Sequence, residues 1–138
     1  MHKLGFLEKW IDRVMSCVTT SSFSILIKGK PYGNMLPSRG IRQGDPISPY
    51  LFLLCAESFT SLLTKAENKA RIHGVSICRG APKVSNLLFA DDSLVYYRAT
   101  RNEMETISEI LQTYANASGQ CIILEKSSVY FSSNTSDD

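Results

Sequence analysis

The sequence predicts an α+β fold, an antiparallel sheet with helices on one face. Three observations carry that expectation. Residues Leu7, Ile11, Val14, Met15 and Val18 recur at helical spacing, with Glu8, Lys9, Asp12 and Arg13 opposite. Phe23, Ile25 and Ile27 alternate with their neighbours and run into a turn at Lys28-Gly29-Lys30-Pro31, the pattern of a hairpin. Two adjacent carboxylates, Asp91 and Asp92, stand between the apolar runs Leu87-Leu88-Phe89 and Leu94-Val95-Tyr96, as at the tip of a second hairpin.

The remaining elements follow in order. An extended piece near Tyr32 to Leu36 completes the first hairpin, and a Gly-rich polar loop spans Arg39 to Pro46. Ser48 is expected to cap the next helix, with Pro49 at its first position. That helix carries Leu51, Phe52, Leu54, Cys55, Phe59, Leu62, Leu63 and Ala66, and its apolar first half predicts a central buried helix. A short extended piece is expected at Val75 to Cys78. After the acidic hairpin, Thr100-x-x-Glu103 reads as a capping box for a helix whose face is Met104, Ile107, Leu111 and Tyr114, stopped at Ser118-Gly119. A last strand is expected at Ser128 to Phe131. Residues 133–138 read as a polar tail.

Length and composition set the bounds. The 138 residues suffice for one domain with a core, and 43% apolar with 20% charged residues is globular usage. A net charge of +2 does not by itself mark a nucleic-acid binder. Cys17, Cys55, Cys78 and Cys121 form no Cys-x-x-Cys pair, and His2 and His73 are the only histidines, which argues against a zinc site. Cys17 and Cys55 lie in apolar helical patterns and are expected to be buried, as in a chain kept in a reducing compartment. No apolar run is long enough to span a membrane, so no membrane partner is expected. No targeting segment is visible either, which leaves nucleus, mitochondrion and cytoplasm open.

Two motifs bear on chemistry. Taken alone, Asp91-Asp92 reads as a solvated turn, and the loop Arg39-Gly40-Ile41-Arg42-Gln43-Gly44-Asp45-Pro46 as a connector. Together they suggest more. A hairpin tip with two carboxylates can hold a divalent cation near phosphate. Gln43 offers a donor and an acceptor, Arg39 and Arg42 offer forks suited to phosphate, and the glycines admit close approach.

The segment Arg39 to Phe52 resembles the loop-helix motif of reverse transcriptases, and Phe89-Ala90-Asp91-Asp92 resembles their catalytic acidic turn. The wording is similar to that of plant non-LTR (LINE-type) retrotransposons. The flanks agree: Ile77-Cys78-Arg79-Gly80-Ala81-Pro82 before the turn, Ser118-Gly119-Gln120 and Glu125-Lys126-Ser127 after it. The likeness runs from about Gly5 to about Asn134, with a departure at Ile123, where the family more often has Asn.

The resemblance implies a polymerase palm over residues 1–132 that joins deoxynucleotides to a DNA primer on an RNA template, using magnesium or manganese. It implies metal-binding and catalytic roles for Asp91 and Asp92, contact with template and nucleotide for Arg42, Gln43 and Gly44, closeness to the primer terminus for Ala90, and closeness to the triphosphate for Lys126. It also implies a further metal carboxylate on a strand ahead of the first helix, and fingers and thumb segments. This sequence begins after that strand, and neither Asp12 nor Asp45 matches the missing residue. Two cations about 4 Å apart need several carboxylates to offset their repulsion. The expectation is therefore a fragment inactive by itself. The alternatives are a non-catalytic RNA-binding remnant of maturase type and an unstable relic with no role.

Overall fold

The computed structural model describes residues 1–38, 40–90 and 92–135. Their architecture is α+β, with three α-helices and two antiparallel two-stranded sheets. The chain falls into two compact units, Met1–Leu51 and Phe52–Asp138.

The first unit opens with α1, Glu8–Thr19, as its spacing predicts. Ile11 and Val14 are the buried residues of its apolar stripe, and Trp10 stacks on Phe6 with ring centroids 4.6 Å apart. Side-chain hydroxyls add hydrogen bonds to the carbonyls of its last turn. The hydroxyls of Thr19, Thr20 and Ser21 donate to the carbonyls of Met15, Ser16 and Cys17 in turn. Cys17, expected to be buried, is exposed. The buried stripe is narrow, and Cys17 falls outside it.

Strands β1, Phe23–Ile27, and β2, Lys30–Met35, form the first hairpin, with Ile27 opposite Lys30 and an irregularity between Phe23 and Ile25. The two link residues, Lys28 and Gly29, both have positive φ, 49° and 77°. That conformation gives a two-residue link a twist matching the strands. Every residue of both strands is exposed.

Helix α2, Ser48–Asn68, begins in the first unit and continues into the second. It is not buried all round, as its apolar first half had suggested. Leu51, Ala56, Phe59, Leu63 and Ala66 are buried, while Tyr50 (68% exposed), Leu53 (61%) and Cys55 are open to solvent. A single stripe faces the core.

In the second unit, Phe59, Leu63 and Ala66 of α2 pack with Ile72 and with Ile107 and Ile110 of α3, Arg101–Ser118. Leu63 and Ile72 are fully buried. Ala70, with φ 52°, ends α2: its own N–H bonds the Glu67 carbonyl, and the Arg71 N–H bonds that of Ala66. This is the Schellman arrangement, with alanine where glycine is the usual choice. Gly119, in the left-handed region, ends α3 as expected.

Strands β3, Asn86–Phe89, and β4, Asp92–Val95, form the second hairpin. The extended piece expected at Val75 to Cys78 shrinks to one bridge, Val75 with Val84. The last expected strand, at Ser128 to Phe131, does not form. Val129, Tyr130 and Phe131 are 67%, 88% and 70% exposed. Alternating apolar residues make a strand only where an edge is present to bond them. Among the described residues no helix is long and apolar enough to cross a membrane.

Candidate functional site

The glycine loop lies in the first unit. Arg42, Gln43 and Gly44 are all exposed, and Gly44 has φ 81°. The loop is fastened to the start of α2 by three bonds. The Ser48 hydroxyl donates to the Arg42 carbonyl at 2.6 Å. The Ile47 N–H donates to the Asp45 carboxylate at 3.0 Å, and the Ser48 N–H to the Asp45 carbonyl at 3.0 Å. The expected cap is thus corrected. Ser48 is not the cap: the Asp45 carboxylate reaches forward two residues to the Ile47 N–H, a turn that leads directly into the helix. Ser48 is the first helical residue, and its hydroxyl fixes the loop instead. A carboxylate already sits at the positive end of the helix.

Behind the loop lies a small cavity of about 90 Å³. Cys17, Val18, Phe23, Ile41, Ile47 and Leu51 contribute to its wall. Arg42, Asp45 and Ser48 of the loop and helix start line it as well, and Gln43 is exposed.

The acidic hairpin belongs to the second unit. Asp91 lies outside the described residues. Asp92 is the first residue of β4, opposite Phe89, and is exposed. Ala90 has φ 51°, a region that alanine enters only at a cost. Lys126 ends a short 3-10 turn, Leu124–Lys126, and is exposed.

The base of this hairpin is tied on several sides. The Tyr96 N–H bonds the Ser85 carbonyl at 2.8 Å, one step beyond the Asn86–Val95 pair. The Asn86 amide donates to the Thr60 hydroxyl of α2 at 3.0 Å. Val95 and Tyr97 pack against the core. Val75 and Val84 exchange both backbone hydrogen bonds, at 2.9 and 2.8 Å.

Glu103 was expected to close a capping box on Thr100. It does not: Thr100 precedes α3 without a side-chain bond, and the Glu103 carboxylate turns inward. One oxygen accepts the N–H of His73 at 3.0 Å and that of Arg98 at 2.9 Å. The other lies 2.7 Å from His73 Nδ1. The N–H and imidazole of His73, 30 residues away, and the N–H of Arg98, five residues away, together compete better for this carboxylate than the single N–H of Thr100. Burial pushes the carboxyl up, but the hydrogen bonds from Arg98 and His73 outweigh it, and Glu103 sits below its usual value of 4.5. Sequence reasoning missed this cluster, since its members are 25 or more positions apart except for Arg98, and no local pattern joins them.

The sequence model described as Reverse transcriptase (RNA-dependent DNA polymerase) matches residues 1–136. The chain belongs to the reverse transcriptase family. It is 47% identical over 68 residues to an uncharacterized mitochondrial protein of Arabidopsis thaliana, covering 49% of this chain and 56% of that protein. It is 28% identical over 95 residues to a retrovirus-related Pol polyprotein from a type-1 retrotransposable element of Popillia japonica, covering 69% of this chain and 15% of the polyprotein. The chain thus spans about half the length of the first relative and a small part of the second. No solved structure matches it.

Proposed function

We propose that this chain is the palm portion, residues 1–132, of an RNA-directed DNA polymerase from a plant non-LTR (LINE-type) retrotransposon. The family match over residues 1–136 carries the reading. The second hairpin supports it, because Asp92 opens its second strand opposite Phe89.

In this reading Asp91 and Asp92 hold magnesium or manganese. The donor set suits a hard cation: Asp92 offers carboxylate oxygens, is exposed, and makes no ion pair among the described residues. Bound there, the metal supplies charge neutralisation for the attacking hydroxyl and the departing pyrophosphate. Arg42, Gln43 and Gly44 lie against the template base and incoming deoxynucleotide, the exposed guanidinium matching phosphate. The small side chain of Ala90 leaves room for the primer terminus. Lys126 places positive charge near the triphosphate.

The segment alone supplies two neighbouring carboxylates for a centre that needs more, so its own polymerase activity is at most a trace. Primer extension on an RNA template checks this. Robust incorporation by the 138-residue chain, abolished in Asp91→Asn, would overturn the inactivity. A chimera tests the family roles. Residues 39–52 and 86–95, placed in the matching segments of an active retrotransposon polymerase, should sustain extension that Asp91→Asn abolishes. A folded but inert chimera would overturn the assignment.

A further inference from the structure

We infer that Glu103 is a positioning residue for the acidic hairpin, its single carboxylate gathering both stems of that hairpin into one place. The downstream stem is held directly, through the Arg98 N–H three residues past β4. The upstream stem is held through His73, Gly74 and Val75. His73 binds Glu103 by its backbone and its ring, and Val75, two residues on, is bonded to Val84 just ahead of β3. Gly74 lies between them so close to the upstream stem that a Cβ there would stand 2.5 Å from the Val84 carbonyl oxygen and 2.9 Å from the Ser85 nitrogen.

Chemistry explains why a carboxylate does this. Two backbone N–H groups from separate segments converge on one oxygen, and the second oxygen remains free for the imidazole. An ionised carboxylate accepts all three, whereas no neutral aliphatic side chain accepts any. The group is 7% exposed, so water does not replace it. A helix cap could have used Glu103 locally. Its diversion to segments 30 residues before and 5 residues before it makes α3 the fixed frame for the hairpin.

The consequence for chemistry rests on reading the hairpin as the metal-bearing tip, but the positioning itself is measurable without metal. Amide hydrogen exchange of the full 138-residue chain, resolved by NMR, is the test. In Glu103→Ala, the amides of residues 86–89 and 92–95 should exchange about tenfold faster or more, relative to those of α3. Ile110→Ala, which opens a core cavity at comparable stability loss, should not produce that selective change. Glu103→Gln should largely restore protection, since its oxygen can accept both N–H groups and its amide can face His73 in the other tautomer. If Glu103→Ala does not fold, Glu103→Asp makes the same comparison, one methylene being too short to reach both stems. Hairpin exchange no faster in the Ala or Asp variant than in Ile110→Ala would overturn the inference. Manganese broadening of the Ser93 and Leu94 signals reports separately on the metal reading. Its absence in the unsubstituted chain would sink that reading and leave the role of Glu103 to the exchange data.

Discussion

The two hairpins are built to the same local plan and held in place very differently. Both pair antiparallel strands, and each has a non-glycine residue at positive φ directly after its first strand, Lys28 at 49° and Ala90 at 51°. Both leave large apolar side chains open: Leu26 at 70% in one, Phe89 at 81% in the other. Yet among the described residues no side-chain hydrogen bond or ion pair fastens β1–β2. The second hairpin has Thr60, Gly74, Val75 and Glu103 around its base. A two-stranded hairpin is marginal by itself in water. The direction in which a turn points is therefore a property of what holds its stems. The hairpin with the acidic pair is the one so held.

The largest expected effect comes from prying that hold open. Gly74→Ala places a methyl 2.5 Å from the Val84 carbonyl oxygen and 2.6 Å from its carbon, atoms of the backbone that cannot swing aside. Overpacking of this kind costs about 2 kcal/mol or somewhat more. Urea denaturation should show that loss for the second unit. Gly29→Ala, in the first hairpin, meets no atom within 4 Å and is strained only by its φ of 77°. It should cost about 1 kcal/mol. Equal losses for the two substitutions would mean that the bases of the hairpins do not differ as described.

Acid sharpens the contrast at an intermediate scale. The Glu103 carboxyl is below its usual value in the folded chain, so the unfolded chain takes up its proton first as pH falls. Its contribution is therefore fully present above the usual carboxylate range and is lost as pH falls through the lowered folded value. The loss should be on the order of 1 kcal/mol, the net scale of an intramolecular hydrogen bond. Urea midpoints taken from about pH 6 down to about pH 3 should fall for the chain and fall less for Glu103→Gln. Parallel curves for the two would remove Glu103 as the source.

Much of this was legible in the sequence, where local rules govern. The stripe Ile11 and Val14 and the stop at Gly119 are decided within a few residues of chain and form where their patterns predict, while the turn expected at Lys28 to Pro31 tightens to Lys28-Gly29, with Lys30 and Pro31 paired in β2. What failed was decided elsewhere. Glu103 had a local partner in view and distant ones that proved stronger. Ser48 became the first helical residue and not the cap, because the Asp45 turn delivers the chain into the helix at that point. Val129 and Phe131 alternate like a strand but have no edge to join. The candidate loop and acidic pair were read from motif wording. Arg42, Gln43 and Asp92 are exposed, as they would be in a solvated connector or turn too, while the cluster beneath the hairpin left no trace in the wording.

The smallest expected effect is at the acidic turn itself. Ala90 carries φ 51° where the first hairpin uses Lys28 at 49° followed by glycine. A Cβ in the left-handed region costs roughly 1 kcal/mol or more, which glycine would relieve. Glycine also gives the unfolded chain more freedom, which returns about 0.4–1 kcal/mol. Ala90→Gly should therefore stabilise the second unit only slightly, by about 0.5 kcal/mol, measurable as a small rise in urea midpoint. The strain persists because the stems are held on both sides, so it should depend on that hold. In a Glu103→Ala background the gain should vanish, since loosened stems let Ala90 relax without help. A gain of the same size in both backgrounds would show that the turn and the carboxylate beneath it act independently.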